Sequence, residues 1–155
     1  IYIVGYTYST NLPTTSESFQ PNKVSGQYPE TDGFIIKLNA DGSLAYATYL
    51  GSEFTGEIES IAVNSHDQYY VTGRASSDFP IKNAYQEKLA GMGDTFVTKF
   101  NKDGTLGFST FLGGSFIEIA GDIAVDIHDN VYVTGSTASS VCNVPPVASI
   151  MVLAI

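Results

Sequence analysis

Residues Asp94–Gly135 decide the fold of this chain, because they repeat a segment that lies 62 positions earlier. The later segment has the sequence DTFVTKFNKDGTLGFSTFLGGSFIEIAGDIAVDIHDNVYVTG. The earlier segment, Asp32–Gly73, has the sequence DGFIIKLNADGSLAYATYLGSEFTGEIESIAVNSHDQYYVTG. The offset is 94 − 32 = 62 residues without a gap, and 20 of the 42 aligned positions are identical. The chain is therefore a tandem repeat, in which each unit buries its apolar faces against its neighbours.

Each copy contains four short segments with the alternation or the β-branched and aromatic composition of β-strands. In the first copy the predicted strands are Asp32–Asn39, Leu44–Leu50, Ile58–Val63 and Tyr69–Gly73. The third of these is apolar at consecutive positions, so we expect it to be covered on both faces of its sheet. Turns with Asn, Asp and Gly join the strands, and Gly42 and Gly104 are expected to supply a positive φ there.

Four-stranded antiparallel units at this period favour an all-β fold, a partial β-propeller with about two and a fraction blades of a larger ring. Residues 1–31 are predicted to be the last strand of a preceding blade plus its connector, 32–93 a complete blade with its connector, 94–140 a second complete blade, and 141–155 a linker and the first strand of a following domain. Because propellers close with four to eight blades, further blades of the same chain are expected.

Charge and composition exclude several classes of partner. The net charge is −9 and the isoelectric point is near 4.3, which opposes binding to nucleic acid or to an anionic membrane surface. The apolar run after Pro146 is about nine residues long, far short of the roughly 20 that a membrane-spanning helix needs. The only cysteine, Cys142, cannot form a disulfide within the chain.

Five motifs occur in the same order in both copies. In the second copy they are Asp-x-Phe-Val-x-Lys-Phe-Asn-x-Asp-Gly-x-Leu, Ser-Thr-Phe-Leu-Gly-Gly-Ser, Ile-Ala-Val-Asp and Val-Tyr-Val-Thr-Gly-Ser-Thr, and the connector between the copies adds Ser77-Asp78-Phe79-Pro80. This pattern resembles the SBBP repeat, a bacterial and archaeal family named for a seven-bladed β-propeller. The resemblance covers residues 1 to about 139, and the family carries no catalytic group that can be transferred to a position here.

Two regions depart from the family pattern or extend beyond it. The turn before the last strand has Asp67 and Asp129 where the family tends to have Gly, and we expect both aspartates to adopt a positive φ. Ser52 stands where the family favours a second Gly. The tail Asn143–Ile150 resembles the opening strand of a PKD-type immunoglobulin-like domain.

Few residues of the repeat are candidates for binding or chemistry. His66 and His128 are equivalent and each precedes Asp, which suggests a catalytic or metal site, although a role in the turn is the simpler interpretation. The Asn-x-Asp-Gly-Ser/Thr turns resemble fragments of calcium loops but lack the further carboxylates of such loops. Arg74 places a charge where the equivalent positions hold Tyr6 and Ser136, so it is either a solvated loop arginine or an anion contact on the rim.

Two functions are compatible with these features. The first is a non-catalytic scaffold in a secreted or cell-surface protein, which contacts proteins or glycans through its loops and needs no cofactor. The alternative is part of a propeller lyase or hydrolase acting on polysaccharide, with catalytic residues partly outside this chain. No catalytic motif is present to favour the enzyme.

Overall fold

The computed structural model describes residues 1–24, 30–140 and 150–154, and these residues form β-strands joined by turns and connectors, without a helix. The strands are β1 (Tyr2–Thr7), β2 (Asp32–Leu38), β3 (Leu44–Leu50), β4 (Gly56–Val63), β5 (Tyr69–Ala75), β6 (Asp94–Phe100), β7 (Leu106–Leu112), β8 (Glu118–Val125), β9 (Val131–Thr137) and β10 (Ile150–Ala154). The predicted strands are all present, with ends shifted by at most two residues.

The strands form three sheets that follow one another along the chain. The first sheet has the order β1-β2-β3, the second β4-β5-β6-β7 and the third β10-β9-β8. Neighbouring strands are antiparallel except β10, which lies parallel to β9. The fold is all-β, and its sheets are blades of a partial β-propeller, as the repeat predicted.

The boundaries of the blades differ from the prediction. The four strands predicted for the blade 32–93 divide between two sheets, because β2 and β3 join β1 whereas β4 and β5 join β6 and β7. The predicted second blade, 94–140, is divided in the same way. The long connector of residues 76–93 therefore joins two strands of one sheet, and the short link of residues 51–55 carries the chain to the next sheet.

The three sheets pack face to face in the same manner at both interfaces. Strand β4 lies against β1 and β2 of the first sheet, and β8 lies against β4, β5 and β6 of the second. Where β4 meets β8, Ser60 Oγ donates a hydrogen bond to Asp122 Oδ1 at 2.6 Å. These residues occupy the same position in successive copies, since 122 − 60 = 62. The third strands of successive copies, β4 and β8, thus converge, as the inner strands of a propeller do.

Repeated positions supply both interfaces with apolar side chains. Those packed together between the first and second sheets include Ile35, Leu50, Ile61, Tyr69 and Val71. Their equivalents between the second and third sheets are Val97, Leu112, Ile123, Val131 and Val133. Each copy therefore covers an apolar face of its neighbour, and burial of these faces is the main force that holds the sheets together.

The strands that are buried on both faces are the central ones, β5 and β6, and not the predicted third strand of the repeat. Phe96, Val97 and Thr98 of β6 point alternately to the two interfaces and are all inaccessible to solvent. By contrast, Val63 at the end of β4 remains 38% exposed. Strand β4 is the edge of its sheet, so neighbouring sheets cover its faces incompletely.

The turns adopt the backbone conformations that their residues predict. Gly42 and Gly104 have φ values of 84° and 82°, and Asp67 and Asp129 have values of 59° and 64°. Asp at these two positions thus takes the left-handed conformation for which the family tends to use Gly, which Asp tolerates better than most residues.

The described part of the C-terminal segment extends the third sheet. Strand β10 pairs with β9 along Val131–Gly135. The predicted linker, Cys142 and most of the PKD-like resemblance lie outside the described residues. No helix in the described part of the chain has the length and apolar character needed to cross a membrane.

Candidate functional site

Arg74 lies within strand β5, not in a loop after the strand as predicted. It is half-buried, and its guanidinium packs against Gly93 at the start of β6. A Cβ atom at Gly93 would lie 2.8 Å from Arg74 Nε, so a larger residue there would displace the guanidinium from this position. The equivalent of Gly93 in the first copy is Thr31, and there the position of Arg74 holds Tyr6. The second sheet therefore has the pair Arg74 and Gly93 where the first sheet has Tyr6 and Thr31.

The charge of Arg74 has no carboxylate partner among the described residues. Glu57 of β4 is directly opposite Arg74 in the sheet register. Its Oε1, however, accepts a hydrogen bond from Thr31 Oγ1 at 3.2 Å. Glu57 thus bonds to Thr31, and no carboxylate among the described residues lies within 4 Å of the Arg74 guanidinium.

Apolar side chains lie beside Arg74 on the face that carries the connectors, and of these Phe54 and Met92 are exposed whereas Leu89 is partly buried against the core. Phe54, Leu89 and Met92 line, together with Arg74, a cavity of about 240 Å³. Phe54 is 57% exposed and Met92 77% exposed. The patch continues to Phe116, which is 54% exposed and whose carbonyl accepts a hydrogen bond from the Met92 N–H at 3.1 Å. We call these five residues the connector patch.

The opposite face carries the short turns, and in two of them an aspartate bonds to the Ser or Thr of its own turn. Asp41 Oδ1 accepts hydrogen bonds from Ser43 N at 3.0 Å and Ser43 Oγ at 2.7 Å. Asp103 accepts the equivalent bonds from Thr105. These bonds lower the pKa of both aspartates. Each turn thus offers one carboxylate that is already bonded, and no three acidic, His or Cys residues come together within the described ranges to hold a metal ion.

The two histidines are placed in exposed turns rather than in a shared site. His66 Nδ1 lies 3.7 Å from Asp129 Oδ2 of the following turn. The backbone N–H of His128 donates to Asp126 Oδ1 at 2.8 Å within its own turn. Asp126 also accepts hydrogen bonds from Asn130 and Tyr132, and its pKa falls to about 2, chiefly because of the Asn130 side chain. The bonds to Asp126 order the turn that carries His128.

A Gln–Asp pair with a fully buried aspartate, which the sequence analysis did not single out, ties each connector to its sheet. In the second sheet Gln86 Nε2 donates to Asp94 Oδ2 at 2.6 Å, and Gln86 Oε1 accepts from Gly113 N at 3.1 Å. Gln20 makes the corresponding bonds to Asp32 at 3.4 Å and to Gly51 at 3.1 Å. Burial raises the pKa of Asp94.

The signal for this pair was an aromatic residue followed by Gln, at Phe19–Gln20 and Tyr85–Gln86. The two Gln residues are 86 − 20 = 66 positions apart, whereas the repeat offset is 62, so an alignment without gaps does not superimpose them. The pair is a structural anchor of the connector on which Leu89 and Met92 lie.

Comparison with known families agrees with this architecture. Residues 108–140 match the SBBP family model, which is described as a β-propeller repeat. This part of the chain is similar to an SBBP repeat. The match includes β8 and β9 of the third sheet and the end of β7 in the second, so the SBBP repeat crosses from one blade to the next. Residues 46–78 are its counterpart in the first copy, from 108 − 62 and 140 − 62. No curated protein matches the chain.

Proposed function

We propose that this SBBP segment is a non-catalytic scaffold of a secreted or cell-surface protein and that its connector patch is the contact site for a protein partner. The observation that carries the proposal is Arg74, a half-buried cation without a carboxylate partner in the described residues, within a rim of exposed Phe54, Met92 and Phe116. Contact sites of proteins are enriched in arginine, methionine and aromatic residues, which is the composition of this patch.

The chemistry of the patch favours a particular partner. A carboxylate can accept two parallel hydrogen bonds from a guanidinium, and apolar side chains beside it can fill the space between Phe54, Leu89 and Met92. The partner segment is therefore expected to combine one acidic residue with a neighbouring aromatic or aliphatic residue. The net charge of −9 disfavours strongly acidic partners, since long-range repulsion would oppose their approach.

Binding to an array of peptides that pair one Asp or Glu with Phe, Leu or Trp tests the proposal. We expect Arg74→Ser, which installs the residue found at the equivalent Ser136, to reduce binding about tenfold or more. Lys102→Ser removes the same charge from the turn face and serves as the matched control, with binding unchanged. Equal loss for both variants would indicate a nonspecific charge effect and contradict the proposal.

Two further measurements address the rest of the proposal. If the segment is part of a scaffold, incubation of the full-length protein with polysaccharides should release no product. Steady product release would instead establish the enzymatic alternative. Fractionation of cells that produce the full-length protein should place it outside the cell or on its surface, and recovery from the cytoplasm would refute that part.

A further inference from the structure

The cavity beside Arg74 indicates which part of a partner the connector patch holds, and this inference rests on the contact site proposed above. The guanidinium of Arg74 carries several N–H donors, and none of them donates to a described residue. Arg74 is half-buried, and a charge that is withdrawn from water is normally paired. The cavity therefore suits a ligand that places one anionic group beside Arg74.

The other lining residues supply apolar surface and hydroxyl groups. Leu89 and Met92 of the connector and Phe54 of the short link contribute the larger apolar side chains. Thr55 and Ser77 also line the cavity, and their hydroxyl groups can donate to a carboxylate. The lining thus matches a ligand in which a carboxylate and an aliphatic group lie close together.

The volume of the cavity limits how large that ligand is. A space of about 240 Å³ holds about eight water-sized groups, since a water molecule occupies roughly 30 Å³ in the liquid. A C-terminal leucine has about as many non-hydrogen atoms, counted from its Cα through its side chain and its carboxylate. An internal acidic residue and an aromatic neighbour have far more, so they would spread over the exposed rim. A single C-terminal residue therefore brings both required groups into the cavity.

Acidic residues flank the cavity and decide which charges are favourable behind that terminal residue. Glu53 precedes Phe54 and Asp78 follows Ser77, and both acidic residues are exposed. The Glu53 N–H donates to Asp78 Oδ2 at 2.6 Å, so the two residues lie side by side at the border of the cavity. Together with the net charge of −9, their side chains repel acidic segments and attract Lys or Arg. The ligand should carry negative charge only at its tip.

We infer that the cavity of the connector patch binds the C-terminal residue of a partner protein, a leucine or isoleucine that follows basic residues and whose free α-carboxylate pairs with Arg74. A guanidinium can donate two parallel hydrogen bonds to one carboxylate, and recognition of a chain terminus is a recurring mode of peptide binding. An internal acidic residue would instead lead the partner chain away from the cavity in two directions, past Glu53 and Asp78.

The test measures the fluorescence anisotropy of peptides labelled at their N-terminus as the chain is added. The reference peptide ends in Lys-Ser-Lys-Ala-Leu with a free carboxylate, and it is expected to bind. Amidation of its C-terminus removes only the negative charge and should weaken binding about tenfold or more. Replacement of the terminal Leu by Ser should weaken binding about tenfold, because the aliphatic contact is lost. These comparisons change only the ligand, so they do not depend on the folding of a variant.

The variant Arg74→Ser shows whether the terminal carboxylate pairs with this arginine. In its absence amidation should have no effect on binding, because the group that recognises the charge is gone. Lys102→Ser removes a cation from the turn face, and for this variant amidation should weaken binding as much as it does for the wild type.

Two outcomes would overturn the inference and leave the proposed contact site intact. One is that peptides with an internal Asp or Glu and an amidated end bind through Arg74 as tightly as the free-acid peptide does. The other is that amidation weakens binding by the same factor for Arg74→Ser as for the wild type, although Arg74→Ser binds all peptides less tightly. If neither kind of peptide binds, the proposed contact site and the inference both fail.

Discussion

Replacement of Gly113 by alanine should destabilise the chain strongly, because Gly113 lies against a buried carboxylate. A Cβ atom at this position would overlap Asp94 Cγ and lie 2.5 and 2.6 Å from the two carboxylate oxygens. Asp94 is fully buried, and its Oδ2 accepts hydrogen bonds from Gln86 Nε2 at 2.6 Å and Ala90 N at 3.0 Å. The carboxylate can make room only by breaking these bonds.

The size of the effect follows from the bonds that are lost. A hydrogen bond to a charged group contributes about 1.5–3 kcal/mol, and overpacking a filled interior costs about 1–3 kcal/mol. The two costs do not add in full, because a movement of Asp94 that breaks its hydrogen bonds also relieves the overlap. We therefore expect Gly113→Ala to lower the free energy of unfolding by about 3 kcal/mol, which for a chain of this size lowers the unfolding midpoint by about 6–12 °C.

Urea unfolding followed by circular dichroism and tyrosine fluorescence measures this difference, since the chain has ten tyrosines and no tryptophan. Gly121→Ala is the matched control, because a Cβ there would have no neighbour closer than 3.4 Å. In an Asp94→Ala background the overlap is absent, so Gly113→Ala should cost much less than in the wild type. Equal unfolding free energies for Gly113→Ala and Gly121→Ala would refute the reasoning.

Three further predictions concern the turns and the open face of the first sheet. The pKa of Asp126 is about 2, below its ordinary value of 3.8, so its stabilising effect is present above pH 3.8 and is lost as the pH falls through about 2. Asn130→Ala should raise this pKa, as measured by an NMR titration of the carboxyl carbon, and an unchanged value would contradict the assignment. Asp67 has a φ of 59°, so the free energy of unfolding of Asp67→Gly should be about 1 kcal/mol higher than that of Asp67→Ala. The reverse order in urea unfolding would argue against strain at this turn. Ile3 is 41% exposed, whereas its equivalent Val71 is fully buried by a preceding sheet, so the chain should self-associate through this face. Ile3→Lys should reduce that association in sedimentation velocity, and a wild-type chain that is already monomeric would contradict the prediction.

The sequence by itself determined the strands, the turns and the presence of repeated blades. The alternation of Phe34, Ile36 and Leu38 and the Asn-x-Asp-Gly turns are local features, and a strand or a tight turn depends on residues that are close in the sequence. The positive φ of Asp67 and Asp129 was predictable for the same reason. The SBBP resemblance rests on such local motifs, and the family match at residues 108–140 confirms it.

Only the tertiary structure decided which strands share a sheet and where the polar groups bond. A repeat has the same sequence pattern wherever its first residue is placed, so the pattern could not show where one sheet ends and the next begins. In the structure β5 pairs with β6 across an 18-residue connector, whereas β3 and β4, which are separated by only five residues, belong to different sheets. The position of Arg74 beside Gly93 and the stacking of Tyr69 on Phe100 depend on the same long-range pairing. Both contacts join residues that are far apart in the sequence and lie on different strands. The spacing of residues within one copy does not specify such contacts.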